Sequence, residues 1–168
     1  PFAAPLGTLS VLCPFRVYAS PRPCRGPDCR REGVSQPQAL HVLNARKDGV
    51  AAAGAEAKII PVENAGAADI ADVKAFALGC PSMGAEQLEE SSMEPFVEEI
   101  LGSVSGKKIL LFGSYGWGDG EWMRNWVEQM TGAGAEMIEA EGIIANEAPD
   151  ADAQAACEAA GKALAANA

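Results

Sequence analysis

Two aromatic side chains lie in a glycine-rich stretch that follows an apolar run. Residues 107–112 read Lys-Lys-Ile-Leu-Leu-Phe, and residues 113–121 read Gly-Ser-Tyr-Gly-Trp-Gly-Asp-Gly-Glu. Closely spaced glycines let a backbone approach a ligand and adopt positive φ. Tyr115 and Trp117 are costly to expose in a loop that contacts nothing. The stretch predicts a loop that lays backbone amides and a ring face against a flat ligand, although such rings also serve to cover a sheet edge.

A second stretch has the same pattern. Residues 75–79 read Ala-Phe-Ala-Leu-Gly, and the loop that follows contains Met83, Gly84 and Glu86. Short, continuously apolar runs bounded by glycine are typical of strands buried on both faces of a parallel sheet. Ligands of such sheets bind beyond the carboxyl ends of the strands. If the two strands are neighbours, Met83 and Trp117 come from adjacent loops and clamp a planar heterocycle between them.

Strands and helices alternate along the chain, which predicts a doubly wound α/β fold with a parallel sheet under helices. Ser91-x-x-Glu94 is a capping-box pattern and predicts the start of a helix that runs to residue 104. The other predicted helices span 40–53, 67–73, 120–131 and 150–166, and the predicted strands span 57–62, 75–79, 107–113 and 136–144, the last with an interruption at 141–142.

Five motifs occur in a fixed order after residue 47. They are Gly-Cys-Pro-Ser-Met-Gly at 79–84, Glu-Pro-Phe at 94–96, Gly-Lys-Lys at 106–108, Leu-Phe-Gly-Ser-Tyr-Gly-Trp-Gly-Asp-Gly-Glu-Trp-Met-Arg at 111–124, and Asn-Glu-Ala-Pro-Asp at 146–150. Their order and spacing resemble those of short-chain flavodoxins of the clostridial and rumen-anaerobe type. The resemblance covers residues 47–168 and implies a flavodoxin-like doubly wound sheet, strand order 2-1-3-4-5, with helices on both faces.

The resemblance also implies a function, which is low-potential electron transfer through non-covalent FMN rather than catalysis. The carrier would cycle FMN between its semiquinone and hydroquinone states. Trp117 would stack on the outer face of the isoalloxazine and Met83 on the inner face. Glu86 would accept a hydrogen bond from the flavin N3 region, and the peptide between Gly84 and Ala85 would reorient on reduction to meet N5. The implied cofactor-binding residues are Met83, Gly84, Ala85, Glu86, Ser114, Tyr115, Gly116, Trp117, Gly118, Asp119 and Gly120, with no catalytic and no metal-binding residues.

The first part of the chain departs from the family pattern. A flavodoxin phosphate loop of the form Thr/Ser-x-Thr-Gly-x-Thr follows the first strand, but positions 34–39 read Val-Ser-Gln-Pro-Gln-Ala. The proline removes an amide donor. Residues 24–32 are too charged, and too interrupted by Gly and Pro, for a central strand. The first strand is therefore predicted to be missing or replaced, and residues 9–18 are the candidate replacement.

Charge and composition change in the same region. Residues 1–46 hold six arginines, no lysine and two acidic residues, whereas residues 47–168 hold one arginine, six lysines and 21 acidic residues. The formal charges are +4 and −14, and an abrupt change of this kind marks a boundary or a tail. Residues 1–38 are predicted to be an atypical Pro/Arg/Cys-rich leader that is disordered or not native to the protein. Residues 39–168 are predicted to be a flavodoxin-like domain that is incomplete at its N-terminus.

Two alternatives to an electron carrier stay open. The first is a truncated or frame-disrupted product that binds FMN weakly or not at all, because the phosphate loop is not recognisable. The second is a flavodoxin-fold FMN or quinone reductase. The only histidine, His41, lies in the atypical region and is a poor candidate for a general acid.

Acidic residues gather on the two loops and predict a rim that attracts basic surfaces of redox partner proteins. They are Glu86, Glu89, Glu90, Asp119 and Glu121. The acidic composition argues against a nucleic-acid partner, and no apolar run is long enough to span a membrane. Five cysteines without a disulfide-like pattern favour a reducing compartment. The protein is predicted to be a cytoplasmic monomer.

Overall fold

The computed structural model describes residues 9–13, 57–146 and 151–167. The described strands are β1 (Leu9–Cys13), β2 (Ala57–Pro61), β3 (Ala75–Gly79), β4 (Lys108–Tyr115), β5 (Glu136–Met137) and β6 (Ile143–Asn146). The described α-helices are α1 (Ala67–Ala71), α2 (Met93–Ile100), α3 (Glu121–Gly132) and α4 (Ala151–Ala166). Short 3-10 helices follow β2 and α2, at Val62–Asn64 and Leu101–Ser103. The predicted helix at 40–53 lies outside the described residues.

The six strands form one parallel sheet in the order β2-β1-β3-β4-β5, with β6 also paired to β4. This order confirms the predicted doubly wound fold. The amino-terminal half of β4 pairs with β5, where Lys108 lies opposite Glu136, and the carboxyl-terminal half pairs with β6, where Phe112 lies opposite Ile143. The last strand is therefore interrupted as predicted, over residues 138–142 rather than only at 141–142.

The first strand comes from the predicted leader. Leu9–Cys13 lies between β2 and β3, so that Val11 is opposite Ile59 on one side and Ala77 on the other. The central place that follows from the order 2-1-3-4-5 is thus filled by a replacement strand. Residues 14–56 lie outside the described residues, so the nature of the leader and its boundary at residue 38 stay predictions.

The core has two layers, because successive side chains of a strand point to opposite faces of the sheet. Helices α1, α2 and α3 cover the face that carries the larger side chains, which include Phe76, Leu78, Ile109 and Leu111. Helix α4 covers the opposite face, whose buried side chains include Ala75, Ala77, Leu110 and Phe112. No helix in the described ranges has the length and apolar character needed to cross a bilayer.

Glycines at the ends of β3 and β4 allow a close approach that side chains would prevent. The ring of Phe112 occupies the space that a Cβ on Gly79 would need. A Cβ on Gly113 would overlap the carbonyl oxygen of Cys80 and lie 3.1 Å from the Trp122 ring. The two strands therefore leave the sheet in direct backbone contact.

We expect Gly113→Ala to lower the free energy of unfolding by about 1–3 kcal/mol, because the new methyl group meets rigid backbone. Gly102→Ala is the matched control, since Gly102 is exposed and a Cβ there meets no atom within 4 Å. The control should change the free energy of unfolding by no more than about 0.5 kcal/mol. Urea unfolding of both variants measures this, and equal effects would contradict the close contact.

Candidate functional site

The loops that follow β3 and β4 lie side by side at the carboxyl edge of the sheet. The backbone N–H of Cys80 donates to the carbonyl of Phe112 at 3.0 Å, and that of Ser82 donates to the carbonyl of Ser114 at 2.9 Å. The pairing of the two strands thus continues past the end of β3. This confirms that the two strands are neighbours and that their loops share one edge.

Residues 83–87 form a tight turn within the first loop. The N–H groups of Met83 and Gln87 each donate to the carbonyl of the other residue at 2.9 Å. Gly84 has φ +48° and Glu86 has φ +53°. Among the described residues, Glu86 is the only one other than glycine with positive φ. This conformation is unfavourable for a residue with a Cβ, so the contacts of Glu86 must hold it in place.

The carboxylate of Glu86 joins the two loops. Its Oε1 accepts hydrogen bonds from the backbone N–H groups of Gly120 at 2.8 Å and Glu121 at 2.9 Å. Gly120 is the N-cap residue of α3 and has no side chain with which to cap the helix. Glu86 therefore caps α3 from 34 residues away, and its negative charge suits the positive end of the helix dipole.

Gly118 makes room for this carboxylate. A Cβ on Gly118 would overlap the carboxyl group of Glu86, and the φ of Gly118 is +92°. Both the space and the backbone conformation require glycine at this position.

The ring of Trp117 projects into solvent at this edge. Its exposed fraction is 62 %, whereas Tyr115 is half-buried and packs against Trp122 with ring centroids 5.6 Å apart. Within the described part of the chain, the backbone N–H groups of residues 116–119 donate no hydrogen bond. Of the two rings that the sequence singles out, Tyr115 covers the sheet and Trp117 is available to a ligand.

Ser114 is the only buried polar residue in the described part of the chain. Its hydroxyl Oγ is buried and has no hydrogen-bond partner among the described residues. An unpartnered buried hydroxyl costs about 1–3 kcal/mol. Ser114 lies in the carboxyl-terminal half of β4, directly before the glycine-rich loop, so a polar group bound at this edge is a candidate partner.

The predicted site residues lie in two continuous segments at this edge. Met83, Gly84, Ala85 and Glu86 lie in the tight turn, and Ser114, Tyr115, Gly116, Trp117, Gly118, Asp119 and Gly120 run from β4 to the N-cap of α3. Their contact with a cofactor stays a prediction. Of the predicted acidic rim, Glu90, Asp119 and Glu121 are exposed, whereas Glu86 and Glu89 are partly buried and bind backbone amides.

Arg124 also belongs to this edge, although the sequence analysis did not single it out. Its Nη1 donates to the carbonyl oxygen of Asp119 and its Nη2 donates to Asp119 Oδ1, both at 2.8 Å. The hydrogen bond to Asp119 raises the pKa of Arg124, and the charges of Asp119, Glu121 and Glu86 act in the same direction. The feature of the sequence that could have marked Arg124 is its rarity, because it is the only arginine after residue 46.

The start of α2 corrects one prediction. The capping box at Ser91 and Glu94 is wrong, because α2 has Ser92 as its N-cap and that side chain makes no capping hydrogen bond. The carboxylate of Glu89 caps the helix instead. It accepts hydrogen bonds from the N–H groups of Ser91 and Ser92, both at 2.8 Å, and of Met93 at 3.1 Å. The loop folds back so that Glu89 takes both amides of the predicted capping box, that of Ser91 with its carboxylate and that of Glu94 with its carbonyl oxygen at 2.9 Å.

Comparisons with known proteins support the same fold. The family model described as "Flavodoxin" matches residues 43–161. The flavodoxin of Clostridium beijerinckii is 44% identical over 104 residues, which cover 62% of this chain and 75% of that protein. The flavodoxin of Megasphaera elsdenii is 45% identical over 101 residues, which cover 60% of this chain and 72% of that protein.

Solved structures extend the likeness over nearly the whole chain. The solution structure of two-electron reduced Megasphaera elsdenii flavodoxin has a TM-score of 0.73 and 31% identity, covering 94% of this chain and 99% of that one. A flavodoxin from the domain Archaea has a TM-score of 0.72 and 18% identity, covering 95% of this chain and 97% of that one, and this second likeness shows the fold alone.

We expect the contribution of Glu89 to stability to depend on pH. Burial raises the pKa of Glu89, but hydrogen bonds from the amides of Ser91, Met93 and Ser92 outweigh it, so that the pKa is lowered from its ordinary value. A lowered folded-state pKa stabilises the fold at neutral pH, and this stabilisation is lost as the pH falls through that pKa.

Glu89→Gln should therefore lower the free energy of unfolding by about 1 kcal/mol at neutral pH, with a smaller difference in acid. Glu90→Gln is the control, because Glu90 is exposed and adjacent. Urea unfolding over a series of pH values measures both variants. A difference that does not change with pH would show that the charge of Glu89 is not what caps α2.

Proposed function

Because this chain belongs to the flavodoxin family, we propose that it is a low-potential electron carrier that holds FMN where the loops after β3 and β4 meet. FMN is the cofactor of this family. The observation that carries the proposed position is the exposed ring of Trp117, which lies beside a tight turn that Glu86 fixes to the start of α3. A large exposed ring on a well-anchored loop is typical of a ligand site.

The residues of this edge fit a flat heterocycle with a polar rim. Trp117 offers an aromatic face, and the backbone amides of residues 116–119 donate no hydrogen bond to the described part of the chain. Among the described residues, chain neighbours aside, no atom lies within 4 Å of the place where a Cβ on Gly84 or Gly116 would stand, so a ligand can come close to both backbones. The unpartnered Oγ of Ser114 adds a polar group at the end of β4.

Each side chain of the turn has a separate role in the proposal. Trp117 stacks on one face of the ring and Met83 contacts the other face. Oε1 of Glu86 is occupied by the amides of α3, whereas Oε2 accepts no hydrogen bond from the described residues and is available to an N–H group of the ligand. Gly84 allows the peptide that follows it to turn over, because positive φ costs glycine little.

The bound FMN supplies the one-electron chemistry, cycling between its semiquinone and hydroquinone states, and the protein sets the potentials. Stacking on Trp117 and the negative charges of the acidic rim both disfavour additional negative charge on the ring. Both effects lower the potential of the more reducing couple.

The exposed carboxylates of Glu90, Asp119 and Glu121 face solvent on the loops that hold the proposed site. In the proposal they raise the rate of encounter with redox partner proteins that carry basic surfaces, and this gain falls with ionic strength.

We propose a cytoplasmic monomer, because five cysteines without a disulfide-like pattern suit a reducing compartment. In the described ranges Cys80 and Cys157 are buried.

A reductase activity has no specific observation in its favour, so electron transfer between proteins is the function proposed. The predicted positions of the phosphate loop, residues 34–39, lie outside the described residues.

We expect the purified chain to bind FMN, and if the chain also holds the phosphate, riboflavin should bind at least about tenfold more weakly. Riboflavin has the same ring system but lacks the phosphate, and each lost charge-assisted hydrogen bond costs about 1.5–3 kcal/mol. Quenching of flavin fluorescence during titration measures both affinities. Equal affinities would mean that the chain binds the flavin ring but not the phosphate. No binding of either flavin would contradict the proposal and favour a product that has lost function.

We expect Trp117→Ala to weaken FMN binding and to raise the midpoint potential of the more reducing couple. Stacking contributes about 1–3 kcal/mol, and a tenfold change in the relative affinity for two redox states equals about 59 mV for one electron. Anaerobic spectroelectrochemical titration measures the shift, which should be tens of millivolts. Trp117→Phe keeps an aromatic face and is the control, with a smaller shift. An unchanged potential in the alanine variant would remove Trp117 from this role.

A further inference from the structure

The short segment that carries Trp117 is held by hydrogen bonds at its two ends, and few contacts hold the residues between them. At its start, the carbonyl of Tyr115 accepts a hydrogen bond from Asn146 Nδ2 at 3.5 Å. At its end, Arg124 donates hydrogen bonds to the backbone carbonyl oxygen and to the carboxylate of Asp119, each at 2.8 Å. Gly116 and Gly118 flank the ring, and glycines give this part of the backbone more freedom than any other residue would.

The guanidinium group forms a two-point fork rather than a simple ion pair. One nitrogen holds the main chain of Asp119 and the other holds its side chain, so the fork fixes the orientation of the residue as well as its distance. Arg124 is itself the fourth residue of α3, whose first amides are bound by Glu86. The end of the Trp117 segment, the start of α3 and the turn at Glu86 therefore form one connected unit.

We propose that Arg124 is a positioning residue for the ligand site, which acts through Asp119 to hold the Trp117 segment against the bound ring. This inference rests on the proposed function for its ligand, but the tether itself is a property of the protein alone. Without the fork, the segment between Tyr115 and Gly120 has two glycines and no side-chain anchor at Asp119. The ring of Trp117 then samples more orientations, and ordering it costs part of the binding free energy.

A simple electrostatic role is the competing explanation. The side chains of Arg124 and Asp119 are 57% and 76% exposed, and exposed ion pairs contribute little to stability. Arg124 also brings a positive charge to an acidic edge, and that charge alone attracts an anionic ligand. A lysine keeps the charge but has no planar fork, so Arg124→Lys separates the two explanations.

The experiment compares four forms of the full chain, which are wild type, Arg124→Lys, Arg124→Gln and Lys162→Gln. Lys162 is an exposed cation on α4 and controls for the loss of one positive charge. Stopped-flow fluorescence measures FMN dissociation in each form at two ionic strengths. Urea unfolding checks that all four forms are folded.

If Arg124 positions the segment, both Arg124 variants release FMN about 3- to 10-fold faster than wild type, the range expected for an exposed charge-assisted pair. Lys162→Gln should stay within about 1.5-fold of wild type. A lysine variant that behaves like wild type, while the glutamine variant does not, would overturn the inference in favour of charge alone. Wild-type dissociation in both Arg124 variants would overturn it as well.

A second measurement keeps the inference testable if the wild-type chain binds no FMN. In that case the proposed function fails, and amide hydrogen exchange of the FMN-free protein tests the tether. Both Arg124 variants should exchange about 3- to 10-fold faster than wild type at residues 120 and 121, whose amides donate to Glu86, with no change in Lys162→Gln. Unchanged exchange at these residues would show that Arg124 does not restrain the segment.

Discussion

The parallel pairing of β3 with β4 is the constraint on which the rest of the site depends. It continues beyond β3, because the amides of Cys80 and Ser82 still bond to β4. Gly79 and Gly113 permit this continuation, since a side chain on either would overlap the neighbouring strand. The loops that follow are therefore close enough for one carboxylate to bridge them. If the pairing ended at Gly79, the two halves of the site would have no fixed distance.

Two carboxylates of the acidic edge are bound to backbone amides. Glu86 caps α3 and Glu89 caps α2, so each of these charges meets the positive end of a helix dipole. Both helices begin without a side-chain cap from their own N-cap residue. The same two residues thus anchor the first loop to both neighbouring helices. Glu90, Asp119 and Glu121 are left as the exposed charges of this edge.

Along the site, residues held by hydrogen bonds alternate with glycines whose backbone has few neighbours or positive φ. Glu86 and Arg124 fix the start of α3, while Gly84, Gly116 and Gly118 leave short backbone segments with few neighbours or with positive φ. Such an arrangement holds the frame of a ligand site rigid and keeps a few peptide groups able to turn. In the proposed function both properties are useful, because a rigid frame limits reorganisation and a peptide group that turns over can meet a newly protonated atom of the flavin.

Much of the fold and half of the geometry of the site could be predicted from local patterns. Continuous apolar runs identified β3 and β4, since strands buried on both faces must be apolar at every position. The glycine-rich loop followed from composition, whereas only the structure separated the exposed Trp117 from the half-buried Tyr115. The capping box at Ser91 was wrong, because the backbone turned so that Glu89 accepts the hydrogen bonds of the Ser91 and Glu94 amides. Local spacing does not encode such a turn.

The sequence by itself determined the order of strands and helices, the two loops that follow β3 and β4, and the acidic character of their edge. Only the tertiary structure decided that Leu9–Cys13 fills the central place of the sheet, that Glu86 caps α3, and that Arg124 holds Asp119. The reason is the range of the interactions. Apolar periodicity and turn residues act within a few positions of the chain, whereas strand pairing and the capping of α3 by Glu86 join positions tens of residues apart, and only the folded backbone brings these together.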